Sequence, residues 1–240
     1  MDTPDDLVVL RYFAVQGRAQ ALRLALTEAR VPFDDRRVAF SEFRERRAEP
    51  DFAGPYQALP VLSWGAAIVA ETLPIASYVA RQLGQYDGLD HAAVARLEAI
   101  SSCCYIDVTL RLAAIIRADL TYPGADLGRS LAAVLPSLLA KLALLEASLP
   151  SAGWVGGERP VMPDFFLTEA FEVLSYVLGA EREPRLRERV PRLSALAARV
   201  RALPVLAHAR ETRPTRFTGR PDEDAVLAKL HSADLSTLGF

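Results

Sequence analysis

Leu7-Val8-Val9-Leu10-Arg11-Tyr12-Phe13-Ala14-Val15-Gln16-Gly17-Arg18 runs from an unbroken apolar segment through a glycine into helical spacing. The apolar segment has the length of a buried strand. Beyond Gly17-Arg18, residues Ala21, Leu22, Leu24, Ala25 and Leu26 are apolar while Arg23, Glu28 and Arg30 are polar, as a helix with one inward face requires. Val31-Pro32 ends that helix, because proline disfavours a helical residue before it. Phe33, Arg37, Val38 and Phe40 give a second, imperfectly alternating strand, and Ser41 stands where it would cap a short charged helix, Glu42 to Ala48. Leu59-Pro60-Val61-Leu62-Ser63-Trp64 and Ala67-Ile68-Val69 read as a hairpin around Gly65. Thr72 stands at a helix N-cap ahead of Ile75, Tyr78, Val79 and Leu83. The order βαβαββα suits one small α/β domain over residues 1–83.

Residues 84–90, around Gly84-Gln85-Tyr86-Asp87-Gly88, read as a linker. Residues 91–213 carry helical patterns only: 91–120 without interruption, 127–149 with Pro136 inside, 163–178, 191–203 and a short one at 204–212. Pro136 predicts a kink or a helix start. Residues 214–240 form a tail with a weakly helical patch at 222–230, readable either as a lid or as a disordered segment. The fold class is α+β: a small α/β half followed by an all-α half.

With 51% hydrophobic and 24% charged residues, the chain of 240 has the composition of a soluble globular protein of two ordinary domains. The net charge is −2 with both signs interspersed, so no basic stripe points to nucleic acid. The start, Met1-Asp2-Thr3-Pro4-Asp5-Asp6, has neither a positive nor an apolar region, and no signal peptide is expected. Uninterrupted apolar runs fall short of the roughly 20 residues of a membrane span, and no membrane partner is expected. Adjacent Cys103 and Cys104 are poor disulfide geometry, which suggests a reducing, cytoplasmic setting. They read as helix thiols, one buried and one partly exposed. His91, His208 and His231 lack ligand spacing, so no metal site is expected. CxxC, phosphate-loop and GxSxG patterns are missing from the sequence.

Four motifs carry a resemblance. Residues Arg11 to Gln20 resemble the first strand and turn of tyrosine-type glutathione transferases of the alpha, pi and sigma classes. Ala58-Leu59-Pro60-Val61-Leu62 resembles their cis-proline loop. Glu71 to Ala80 resembles the acid-plus-hydroxyl motif opening their third helix. Gly157 to Phe166 resembles the start of their sixth helix, with its capping box ending in Asp164. The resemblance covers roughly residues 6–212, and the four motifs in order are far more specific together than singly. It implies a thioredoxin-like glutathione-binding half, a helical half that takes a hydrophobic electrophile, and a cytoplasmic homodimer. The activity implied is glutathione conjugation of the detoxifying kind, with glutathione as co-substrate and no metal.

The resemblance assigns roles residue by residue. An unperturbed thiol has a pKa near ~8.5, and lowering it by about two units requires about 2.7 kcal/mol of preference for the thiolate. Tyr12 matches the hydroxyl that donates to the thiolate, although a tyrosine in a strand is by itself commonplace. Arg18 is an electrostatic helper or a surface ion-pair former. The Leu59 backbone beside Pro60 would pair with the cysteinyl part of glutathione. Thr72, with a hydroxyl and a backbone N–H at a helix N-terminus, suits the γ-glutamyl carboxylate. Glu71 would accept from the α-ammonium, and Asp107 would reach the amine of the partner subunit's glutathione. Ala14, Tyr105, Leu112, Tyr122 and Phe217 are candidates to line the hydrophobic site. Two departures stand out: Ala58 where the family often has glutamine, with Gln57 one step earlier, and Val161 where a capping Ser or Thr is usual. The rival readings are a non-catalytic carrier on this fold, a glutathione-dependent isomerase or peroxidase, and an interaction module. A cysteine-based transferase fails because both thiols lie in the helical half.

Overall fold

Four short strands, β1 (Val8–Phe13), β2 (Phe33–Val38), β3 (Val61–Trp64) and β4 (Ala67–Ala70), form one sheet in the order β2-β1-β3-β4. β1 is parallel to β2 and antiparallel to β3, and β3 and β4 make the expected hairpin. The computed structural model describes residues 7–240, the side chain of Arg210 excepted. The acidic start read above lies outside the described residues. The sheet is the core of the first half: Val8, Leu10, Val61 and Leu62 are at most 1% exposed. Helix α1 (Gln20–Glu28) buries Ala21, Leu22, Ala25 and Leu26. The arrangement is a thioredoxin-like domain followed by helices, as the sequence implies.

Differences in this half are local. The short charged helix starts earlier, as α2 (Phe40–Arg46), and its N-cap is Ala39 in extended conformation, so Ser41 lies inside the first turn. A further single-turn helix, α3 (Pro50–Ala53), begins on a proline, whose fixed φ suits that position. In α4 (Thr72–Gln82) the N-cap is Glu71, and Thr72 is the first helical residue.

The helical half comprises α5 (His91–Ser102), a π-helical segment Cys103–Thr109, α6 (Leu110–Ile116), α7 (Ala118–Thr121), α8 (Leu127–Ser148), α9 (Met162–Leu178), α10 (Glu183–Arg189), α11 (Pro191–Ala202), α12 (Ala207–Glu211) and α13 (Glu223–His231). The pattern read as uninterrupted from 91 to 120 is therefore broken twice, by the π segment and at Arg117. Period analysis misses a π insertion because one extra residue shifts the apolar stripe without ending it. Pro136 sits inside a continuous α8. Over windows of 18 residues rather than uninterrupted runs, His91–Ile116 and Leu127–Ser148 are each long and apolar enough to cross a membrane. In this fold they are core helices, with Leu112, Ile116, Leu131, Leu135, Leu138 and Leu142 buried. Cys104 is buried and Cys103 half-buried, and burial pushes the Cys104 thiol well up.

Internal contacts divide the chain into two units: residues up to Ala95 with Arg201–Thr215, and Arg96–Val200 with Arg216–Phe240. Residues 201–215, expected in the helical half, associate with the first unit, where α12 and the 3-10 turn Pro204–Leu206 contact α1 and Leu206 is buried. Residues 216–240 are an integral part of the helical unit. Phe217, Val226, Leu230 and Leu235 are core, and α13 packs on α6, α8 and α9.

Candidate functional site

Strand register brings the first unit's candidates to one end of the sheet. Arg11 pairs with Val61, and Val61 pairs with Ala70. Tyr12 is one residue beyond Arg11, Leu59-Pro60 leads directly into Val61, and Glu71-Thr72 directly follows Ala70. Three motifs that lie dozens of residues apart in sequence therefore share one sheet end, reached by antiparallel pairing across three strands.

Tyr12 is 6% exposed, and its hydroxyl accepts the backbone N–H of Arg18 at 3.0 Å. A donor on a phenol oxygen makes the O–H a better donor in turn. The turn can approach so closely because residue 17 is glycine. Its φ is +39°, and a Cβ there would sit 2.5 Å from the Tyr12 hydroxyl oxygen. Gly17→Ala is therefore expected to destabilise the protein by about 1–3 kcal/mol, through strain and displacement of the tyrosine. Urea unfolding checks this, and an unchanged midpoint would show that the turn has room to spare. Arg18 meets Tyr12 through its backbone, while its side chain is exposed.

The Leu59–Pro60 peptide is cis and Leu59 is 4% exposed. Gln57, beside the Ala58 departure, is exposed with φ +51°. Glu71 is also left-handed, with φ +71° and ψ 138°, a conformation costing of order 1–3 kcal/mol in a non-glycine residue. Its carbonyl still accepts the Ile75 N–H at 3.0 Å, so the helix starts cleanly. Thr72, 1% exposed, opens α4 at its positive dipole end. Strain at a helix N-terminus beside a buried hydroxyl has the form of an anion cradle.

The helical unit's candidates fare differently. Leu112 (0% exposed) and Phe217 (2%) are core and offer no surface, which corrects their assignment as lining residues. Both lie on inward faces of their segments, and apolar periodicity cannot tell a core face from a lining one. Tyr105 is buried with its ring edge-on to Phe166, centroids 6.2 Å apart. Tyr122 is 71% exposed in the loop after α7, and Ala14 in the first unit is exposed. The Asp107 carboxylate is held by Lys141 at 3.0 Å. Among the described residues, no group of three or more His, Cys, Asp or Glu could hold a metal.

Asp164 follows the motif quoted above, and Val161 caps the helix through its backbone alone. The fully buried carboxylate accepts the N–H of Val161 at 2.8 Å and of Val155 at 3.0 Å. The N3 N–H, which a capping hydroxyl would take, instead donates to the Val161 carbonyl at 2.9 Å. Sequence reasoning missed Gly17's close approach and the buried Glu223, because both depend on contacts that spacing does not reveal.

A four-stranded thioredoxin-like domain with its cis-proline turn beside Tyr12 and Thr72, followed by an all-α unit, defines a protein of the glutathione transferase fold. Residues 8–81 match the family model described as "Glutathione S-transferase, N-terminal domain". S-crystallin SL18 of Nototodarus sloanii is 36% identical over 97 residues, 40% of this chain and 30% of that protein. The aligned stretch spans under half the length of this protein and of S-crystallins 2 and 3 of Enteroctopus dofleini. Hematopoietic prostaglandin D synthase of Gallus gallus is 27% identical over 205 residues, covering 85% of this chain and 96% of that one. The crystal structure of monomeric Na-GST-3, a glutathione S-transferase of the hookworm Necator americanus, superposes with TM-score 0.71 at 24% identity, over 86% of this chain and 97% of that one. Residues 8–81 thus carry the glutathione S-transferase N-terminal domain, and the whole chain has the fold of these proteins.

Proposed function

We propose that the protein is a glutathione transferase that joins the thiolate of reduced glutathione to a hydrophobic electrophile. The observation that carries this is the convergence of Tyr12, Leu59-Pro60 and Glu71-Thr72 at one sheet end. In this reading Tyr12 donates its hydroxyl proton in a hydrogen bond to the sulfur and holds it as thiolate, acting as a donor and not as a base. The Leu59 backbone pairs with the cysteinyl moiety. Thr72 and the α4 N-terminus take the γ-glutamyl carboxylate, and Glu71 takes the α-ammonium. Ala14, Tyr105 and Tyr122 are the candidates for the electrophile, of which Ala14 and Tyr122 are exposed. The Arg18 guanidinium adds positive potential near the sulfur, and a homodimer would bring Asp107 to the partner subunit's glutathione. The protein works in the cytoplasm without a metal.

The proposal is tested by glutathione calorimetry together with turnover of a generic aryl halide in the same preparation. Binding with turnover supports it. Binding without turnover supports a second reading, a carrier on the same fold. That reading is favoured by similarity to proteins named as crystallins rather than as transferases. Thr72→Ala is expected to weaken glutathione by about 1.5–3 kcal/mol, the contribution of a bond to a charged group. An unchanged dissociation constant would remove Thr72 from the site.

A further inference from the structure

Two side chains hold the loop between β1 and α1, and they hold different halves of it. Arg23, 4% exposed, donates to the carbonyls of Phe13 at 3.1 Å and Val15 at 2.7 Å, on either side of Ala14. That fixes the half that leaves the strand. The other half carries Gly17 and the Arg18 N–H that meets the Tyr12 hydroxyl. Its turn bond, from the Ala19 N–H to the Gln16 carbonyl, is long at 3.3 Å. Gly17 gives the turn its close approach to Tyr12 but has no side chain to hold it there.

The Gln16 side chain supplies that hold. Its Nε2 donates to the carbonyl of Pro214 at 2.8 Å, and its Oε1 accepts Nη2 of Arg213 at 2.7 Å. Pro214 is buried, and residues 201–215 belong to the same unit as β1. An amide that uses donor and acceptor on neighbouring residues of one segment has a single orientation, because flipping it would lose both bonds. The bond from the guanidinium is also charge-assisted. The turn beside Tyr12 is thus tied to a segment 198 residues further along the chain.

We propose that Gln16 is a positioning residue for the thiol-ionising hydroxyl: bracketed by Arg213 and Pro214, it holds the turn at which the Arg18 N–H meets Tyr12. This role rests on Tyr12 being the donor to the thiolate. A hydroxyl whose oxygen is held by an N–H donates more strongly and in a fixed direction. When the turn loosens, the thiolate loses part of its stabilisation, while the contacts of glutathione at Leu59 and Thr72 stay as they are.

Thiolate absorbance titrated against pH in the glutathione complex tests this. Gln16→Leu removes both side-chain bonds and keeps the bulk. It is expected to raise the ionisation of the bound thiol by about half a unit to one unit towards its free value, with glutathione affinity within about twofold. Gln16→Ala is expected to give the same shift, which shows that leucine packing is not its source. In a Tyr12→Phe background, Gln16→Leu is expected to add no further shift, because both substitutions act through one hydroxyl. A residue that only stabilises the fold would lower the melting temperature and leave the thiol where it was. A bound thiol that titrates at its free value in the unsubstituted protein would remove the assignment of Tyr12 and this role with it. A lowered thiol that Gln16→Leu leaves in place, or a Gln16→Leu shift that persists in full without the Tyr12 hydroxyl, would overturn the role of Gln16 alone.

Discussion

Tyr12→Phe is expected to lower kcat/KM for conjugation by about 10- to 100-fold while leaving glutathione affinity within about twofold. The substitution removes one oxygen and no packing surface. The ring sits edge-on to Phe13, centroids 5.3 Å apart, and under the Arg23 guanidinium at 5.8 Å, and phenylalanine keeps both contacts. What goes is the hydroxyl positioned by the Arg18 N–H. A hydrogen bond from it to sulfur favours the thiolate far more than the thiol, so its loss appears in the reactive fraction and not in binding. Steady-state kinetics beside calorimetry separate the two effects. Equal loss in affinity and turnover would make Tyr12 a binding group instead.

Glu223→Ala is expected to destabilise the helical unit by about 3–5 kcal/mol, a fall in melting temperature of the order of 10 °C. Glu223 is fully buried, and five donors converge on its carboxylate. One oxygen takes the Tyr176 hydroxyl at 2.8 Å and the Phe217 N–H at 2.7 Å. The other takes the Thr218 N–H at 2.8 Å, the Gly219 N–H at 3.0 Å and the Thr218 hydroxyl. Alanine strands all five around a cavity. Burial alone would raise this carboxyl, but the Thr218 hydroxyl, the Phe217 N–H and the Tyr176 hydroxyl outweigh it and hold it below its ordinary value of 4.5. A carboxylate depressed in the folded state stabilises fully above its unfolded value and loses that contribution as pH falls through the folded one. Unfolding free energy should therefore drop below about pH 4.5 more steeply in the unsubstituted protein than in Glu223→Gln. Parallel acid profiles would show that Glu223 does not carry the dependence.

The same pair of residues shows what the sequence could and could not disclose. Tyr12 was legible because a strand, a glycine and a helix follow one another within twelve residues, and local order is what sequence patterns encode. Glu223 was not, because its partners are Tyr176 on another helix and backbone groups of an irregular turn. The helix start at Thr72 is legible, but the cap is read one residue late, since the left-handed Glu71 takes it and no residue type there announces it. Leu112 shows a further limit: the stripe that marks it as inward is the same for a core and for a ligand site. The π segment was hidden because its extra residue leaves the apolar content unchanged. The association of residues 201–215 with the first unit was equally hidden, because a helical pattern carries no label for the surface on which it docks.

The claim that this sheet end ionises a thiol is tested most directly by titrating the ultraviolet absorbance of the thiolate in the glutathione complex against pH. The thiol of bound glutathione is expected to ionise about two units below its free value of ~8.5, and Tyr12→Phe is expected to return most of that shift. Bound glutathione that ionises at its free value in the unsubstituted protein would contradict the assignment of Tyr12 and leave the fold with a carrier's role.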